Sequence, residues 1–222
     1  MNNAGKVYLG NIGSVPLYAS FEAVFLLIFV YLQWQGLPSA QRSGEYFICL
    51  ILVFLLAIVL HELGHALAAL SRGMSGVSIT IGALGGYCSY VGVPHPARQF
   101  MISLAGPATN LLLAYGAYLL SQADFSSDLL RFFVGQMFFW NLALGILNLM
   151  PIYPLDGGQM LLSLSELGLA RRAARHLTLC VSLVAGIGLI LYALSPFNHY
   201  VGSFTIMLIV SLLFVAFRDL RS

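Results

Sequence analysis

Charge is what this sequence lacks. Only 8% of its 222 residues are Asp, Glu, Lys or Arg, against roughly 25% in an ordinary soluble domain. A chain so poor in charge cannot clothe a water-facing surface, and it has no basic patch with which to hold a nucleic acid. Cysteine is also scarce. Cys49, Cys88 and Cys180 stand at unrelated spacings with no C-x-x-C pair, so neither a disulfide framework nor a thiolate metal site finds support. Long polar stretches are missing as well. The longest segments outside apolar runs are Ser71–Gln99 and Pro151–His176, too short for an appended soluble module, and there is no repeat or low-complexity tract.

What is present is apolar, at 59% of the chain. Runs long enough to cross a ~30 Å hydrocarbon core, roughly 17 to 25 residues each, occur at Val15–Trp34, Tyr46–Leu70, Phe100–Leu120, Leu129–Met150, Leu177–Leu194 and Val201–Phe217. The expectation is an all-α polytopic membrane protein of about six transmembrane helices, forming a single integral-membrane domain over residues 1–222. The first run is long for a signal sequence, and Pro38-Ser39-Ala40 is a poor cleavage site, so it reads as an uncleaved helix. With six spans, Lys6, Arg72, Arg98, Arg171, Arg172, Arg175, Arg218 and Arg221 share one side of the membrane, and Arg42 and Arg131 take the other. The positive-inside rule then sets both termini in the cytoplasm.

Between the second and third spans, Val77-Ser78-Ile79-Thr80-Ile81 alternates apolar and polar residues, a strand period. Gly82, Gly85 and Gly86 punctuate it before Tyr87–Val91, predicting a small membrane-associated β-hairpin. Gly106 and Pro107 lie inside the third span with Asn110 one turn on, which points to a helix packed closely against partners. Span four ends in "NLMPIYPLDGG", where Pro151 and Pro154 oppose further helix. The chain should unwind there and line a cavity, since non-helical backbone at membrane depth needs protein or water around it. Gln159–His176 reads as an amphipathic interfacial helix anchored by Arg171, Arg172 and Arg175.

His61-Glu62-Leu63-Gly64-His65 fits H-E-x-x-H. On a helix the i, i+4 spacing sets both imidazoles on one face, where two nitrogens reach one Zn²⁺ at ~2.0–2.1 Å. Glu62 projects about 100° round from His61, suited to act as general base on a metal-activated water. Ionisable groups inside a membrane are functional by default. A catalytic zinc keeps three protein ligands and one open position, and Asp156, Asp124, Asp128, Glu166, His95, His176 and His199 are candidates for the third. Depth selects among them. His61 lies roughly 22 Å along a helix from Tyr46, on the side where Asp156 closes span four. Asp124, Asp128 and His199 fall on the opposite side, and the others fall in connectors. Zinc with two neutral imidazoles, Asp156 and nearby Glu62 is also close to neutral, which a low-dielectric setting penalises least.

HELGH, the intervening "GPATN" and the downstream N-x-x-P-x-x-x-L-D-G resemble the site-2 protease family of intramembrane zinc metalloproteases. The resemblance covers a core of about residues 46–158. It implies one Zn²⁺ per chain on His61, His65 and Asp156, Glu62 as general base, and Asn148 contacting substrate or the reacting carbonyl. It also implies that the hairpin offers an edge, here assigned to Val77, Ser78, Ile79, Thr80 and Ile81, to transmembrane segments of substrate proteins in the lipid bilayer of a prokaryotic cytoplasmic membrane. Many relatives carry a PDZ or CBS domain, which this chain lacks. Two other readings compete. A membrane zinc protease with Glu166 as third ligand is one, and a transporter or channel with a polar pore lined by His61, Glu62, His65, Asn110, Asn148 and Asp156 is the other.

Overall fold

The computed structural model of the chain describes residues 5–82, 85–194 and 203–221. His199, and Val201 and Gly202 at the start of the expected last span, lie outside the described residues. The chain divides into two compact units, Met1–Val93 with Ala105–Gly145, and Pro94–Leu104 with Ile146–Ser222.

The first unit opens with strands. β1 (Lys6–Ile12) and β2 (Val15–Ser20) form an antiparallel hairpin whose two-residue loop uses Gly13 at φ +60°, a conformation open to glycine. The expected first span is thereby corrected. Val15–Ser20 is extended, and only α1 (Val24–Gln35, 12 residues) is helical, roughly 18 Å long. Hydropathy alone cannot tell an apolar strand from an apolar helix, and β2 is satisfied by strands on both sides.

α2 (Gly44–Ser71) runs for 28 residues. It ends where Gly73, at φ +80°, lets the Gly73 and Met74 amides bond back to the Leu70 and Ala69 carbonyls at 3.0 and 3.1 Å. That turn feeds β3 (Ser75–Gly82), followed by β4 (Gly85–Val91), so the predicted hairpin is present. It is one half of a four-stranded sheet in the order β1-β2-β3-β4, with β2 parallel to β3 through the pairs Leu17–Ile79, Tyr18–Thr80 and Ala19–Ile81.

The fold is therefore helices plus a sheet rather than helices plus a lone hairpin. The expected edge is overturned with it. β3 is flanked by β2 on one side and β4 on the other, so Ile79–Ile81 have no free ladder, and Val77, Ser78, Ile79, Thr80 and Ile81 are all buried. Among the described residues, the outer strands of the sheet are β1 and β4. Leu26, Val30, Cys49, Leu50, Phe54, Ile58, Ile81 and Phe132 form the apolar core of this unit, with Trp140 against Phe29 and Phe54.

α3 (Pro96–Leu120) and α4 (Asp128–Leu149) each contribute to both units. In the second unit α4 stops at Leu149, Met150–Leu155 is irregular with a cis Tyr153–Pro154 bond, and α5 (Asp156–Gly168) begins. The expected unwinding is there. The expected Gln159–His176 helix is not continuous: Leu169 is extended at φ −120°, ψ 151°, and His176 belongs to α6 (Arg171–Ala193). α6 packs against α7 (Ser203–Arg221), where Gly186 gives way to Leu213. Among the described residues, α2, α3, α4 and α6 are long and apolar enough to cross a membrane.

Candidate metal centre

His61, Glu62 and His65 are buried, at 7%, 5% and 7% exposure. One turn of α2 brings the two imidazoles together. Their rings stand edge to face with centroids 4.7 Å apart, and the two Nε2 atoms are 3.0 Å apart. Two nitrogens on a tetrahedral zinc at ~2.0–2.1 Å would be about 3.3 Å apart, so the pair is close to the geometry that one ion requires.

The space in front of the pair is kept open by α3. A Cβ built at Gly106 would lie 2.7 Å from His61 Nε2 and 2.6 Å from His65 Cε1, and would strike His65 Nε2 directly. The volume that a methyl group would take there is the volume that an ion bound to both nitrogens needs. Gly64 on α2 answers from the other side, because a Cβ there would meet Thr109 Oγ1 and, at 2.8 Å, the Ala105 carbonyl oxygen. Glycine facing a small-residue turn lets two helix backbones approach. The predicted close packing at "GPATN" is this contact.

Asn110 also touches the pair, since its Oδ1 is hydrogen-bonded to His61 Nδ1. Asn110 Nδ2 donates to Asn141 Oδ1 at 2.8 Å and to the Ala57 carbonyl at 3.2 Å. From the sequence, Asn110 is a structural residue of a closely packed helix, or a pore-lining one in the competing channel reading, and Asn141 is not singled out. The available signal was weak: one of several amides in α4, standing directly after Phe138-Phe139-Trp140.

Glu62 lies under β4. A Cβ at Gly86 would come within 2.5 Å of Glu62 Cγ and 2.9 Å of Oε1, so the strand backbone passes directly over the carboxylate. Cys88 follows on the same strand. Burial first, and then the negative charge of Glu62, push its thiol up to about 12. It stays protonated and offers no thiolate ligand.

In the second unit, Asp156 is buried at 8% exposure and opens α5. A carboxylate suits a helix N-terminus. The two glycines after it hold the turn against the end of α4: a Cβ at Gly157 would strike the Leu149 and Met150 carbonyl oxygens, and one at Gly158 would strike the Ile152–Tyr153 backbone. Asn148 is half-buried near the end of α4. The other candidates for third ligand are placed elsewhere. Asp124, Asp128, His95 and His176 are exposed, with Asp128 paired to Arg131 at 3.3 Å, and Glu166 pairs with Arg171 at 3.6 Å.

A protein-family model described as Peptidase family M50 matches residues 49–127 and 122–192. The chain belongs to this family, that of the site-2 proteases. Within it, the chain is 33% identical over 171 residues to the sll0528 protein of Synechocystis sp., covering 74% of this chain and 45% of that protein. It is 26% identical over 159 residues to the zinc metalloprotease MJ0392 of Methanocaldococcus jannaschii, covering 70% and 44%. The chain thus spans less than half the length of these two family members. The fold matches the solved site-2 protease from M. jannaschii at a TM-score of 0.65 and 22% identity, over 98% of this chain and 96% of that one. With the apolar helices α2, α3, α4 and α6, the family assignment makes this an integral membrane protein.

Proposed function

We propose that the protein is an intramembrane zinc metalloendopeptidase that cleaves transmembrane segments of other membrane proteins. The observation that carries the reading is the imidazole pair of His61 and His65, facing a space that Gly106 keeps open, with Glu62 buried beside it. His61, His65 and Asp156 would hold the ion. All three are buried and offer donor atoms of the kind zinc takes, which supports that set. A bound Zn²⁺ would polarise the scissile carbonyl and lower the pKa of a water from 15.7 toward ~7.

The rest is done by the chain's own residues. Glu62 takes the proton as the water's oxygen bonds to the carbonyl carbon, then delivers it to the amine as the C–N bond breaks. Asn148 offers an amide N–H to the developing oxyanion. The irregular Met150–Leu155 segment lines the path by which water arrives. A helical substrate hides its carbonyls in i to i−4 bonds, so it must first unwind, and each freed backbone group needs a partner in lipid. The outer edge of β4, whose backbone crosses Glu62 at Gly86, supplies those partners as an added strand.

Orientation follows from charge. With α2, α3, α4 and α6 crossing, Arg72, Arg98, Arg171, Arg172 and Arg175 share the cytoplasmic side and Arg42 and Arg131 the other, in a prokaryotic cytoplasmic membrane. β2 pairs with β3, so the N-terminal segment lies on the side of β3.

The test is metal content and peptidase activity of the purified protein. Glu62→Gln should abolish cleavage and keep about one zinc per chain, whereas His65→Ala and Asp156→Ala should lose the metal. Zinc retained in Asp156→Ala and lost in Glu166→Ala would overturn the ligand set.

A further inference from the structure

Three buried side chains from three helices form a chain that ends on His61. His61 comes from α2, Asn110 from α3 and Asn141 from α4, and both asparagines are 0% exposed. We propose that Asn110 and Asn141 are positioning residues, which together fix His61 in the tautomer that leaves Nε2 free to bind the metal. The proposal rests on the reading of His61 as a zinc ligand.

An amide side chain can present either its oxygen or its NH₂ to a neighbour, and the two ends differ only by a half-turn. Which end faces His61 matters. If the oxygen faces Nδ1, then Nδ1 carries the hydrogen and Nε2 keeps a lone pair. If the NH₂ faces it, Nδ1 becomes the acceptor, the hydrogen moves to Nε2, and the ring cannot ligate through that atom. Something must forbid the half-turn.

Two main-chain carbonyls do so, because a carbonyl can only accept. Met137 O, in the turn of α4 before Asn141, accepts from Asn141 Nδ2 at 2.8 Å, which forces Asn141 Oδ1 outward. That oxygen, together with Ala57 O on α2, then demands two hydrogens from Asn110 Nδ2, at 2.8 and 3.2 Å. Both hydrogens of the amide are spent, so Asn110 turns its oxygen to His61 Nδ1, where the bond is found. The polarity thus runs one way, from Met137 O through Asn141 and Asn110 to the imidazole. A flip of Asn110 alone would set its oxygen against two acceptors at a fully buried position, at a cost of roughly 1–3 kcal/mol for each buried group left unpaired.

Such partners of a metal-bound histidine typically carry 10- to 100-fold in metal affinity. The experiment uses the full chain in detergent, with zinc affinity measured by chelator competition and the histidine tautomer of metal-free, ¹⁵N-histidine-labelled protein read by NMR. The His61 signals are identified by their loss in His61→Ala. We expect Nδ1–H in the wild type, a tautomer mixture in Asn110→Ala, and zinc affinity lowered 10- to 100-fold there and by less in Asn141→Ala. Because the two act in series, the double variant should bind zinc no more weakly than Asn110→Ala alone.

Two results would overturn the proposal: an Nε2–H tautomer in the wild type, or zinc affinity within twofold of wild type in Asn110→Ala. Should Asn110→Ala fail to fold, Asn141→Ala decides through the same two readouts. A purely structural role would lower thermal stability and leave tautomer and affinity unmoved. Undiminished zinc affinity in His61→Ala would instead refute the metal reading itself, a separate outcome.

Discussion

Replacing Gly106 with alanine is the sharpest perturbation the site allows. The new Cβ would sit 2.7 Å from His61 Nε2, 2.6 Å from His65 Cε1 and closer still to His65 Nε2. An ordinary carbon–nitrogen contact is near the ~3.5 Å optimum for non-bonded atoms, so the two rings must each retreat by most of an ångström. They hang from one turn of a buried helix, and leaving their rotamer wells costs about 0.5–1.5 kcal/mol per side chain. That strain is survivable for the fold. It is not survivable for the ion, whose ligand distances tolerate about ±0.2 Å. Gly106→Ala should therefore fold, bind under a tenth of a zinc per chain by elemental analysis, and cleave nothing. Gly116 supplies the control on the same helix, since a Cβ there meets nothing within 4 Å. Gly116→Ala should keep zinc and gain about 0.5–1 kcal/mol of stability, the ordinary helix gain of alanine over glycine. A Gly106→Ala protein that binds one zinc at wild-type affinity would show that the ion does not occupy this space.

Gly86→Ala should separate the proposed role of Glu62 from metal binding: its Cβ would press on Glu62 at Cγ and Oε1, so activity should fall at least tenfold while zinc content by elemental analysis stays intact. A proline scan over Tyr87–Tyr90 should alternate, with cleavage lost where the removed N–H faces outward and folding weakened where it faced β3, as read by peptidase assay and thermal unfolding. A uniform response would argue against an added substrate strand. At pH 8 a thiol pushed up to about 12 is thiolate in roughly one molecule in 10⁴, so Cys88 should resist maleimide in the folded protein and label readily in SDS. The folded state holds that proton more tightly than the unfolded chain, so Cys88 should also make the protein lose stability as pH rises from 9 toward 12.

The H-E-x-x-H segment was legible because a helix turns a four-residue spacing into a shared face, whatever surrounds it. Gly106 and Pro107 were legible in kind, as marks of close packing, although not as the feature that leaves room for an ion. Asn141 was hidden because its importance lies in the rotation of α4 against α3, and no spacing within either segment records that rotation. Val15–Ser20 was misread for a different reason. Six apolar-leaning residues running into an apolar helix look like one span, and what makes them a strand is β3, about sixty residues downstream. The same distant pairing moved the free edge from Val77–Ile81 to β4, since an alternating pattern identifies a strand without saying how many neighbours it has.

The parallel pairing of β2 with β3 also sets an order of events during synthesis. Leu17 and Ile79 pair only after α1 and α2 have both been made. At translation rates of roughly 5–20 residues per second, β2 waits on the order of 3–12 s for its partner. Until then the β1–β2 hairpin stands alone, and two strands by themselves are at best marginally stable in water. The sheet that roofs Glu62 is thus completed late, after α2 is in place. A chain released between Ser71 and Ser75 would leave α2 with no strand across it.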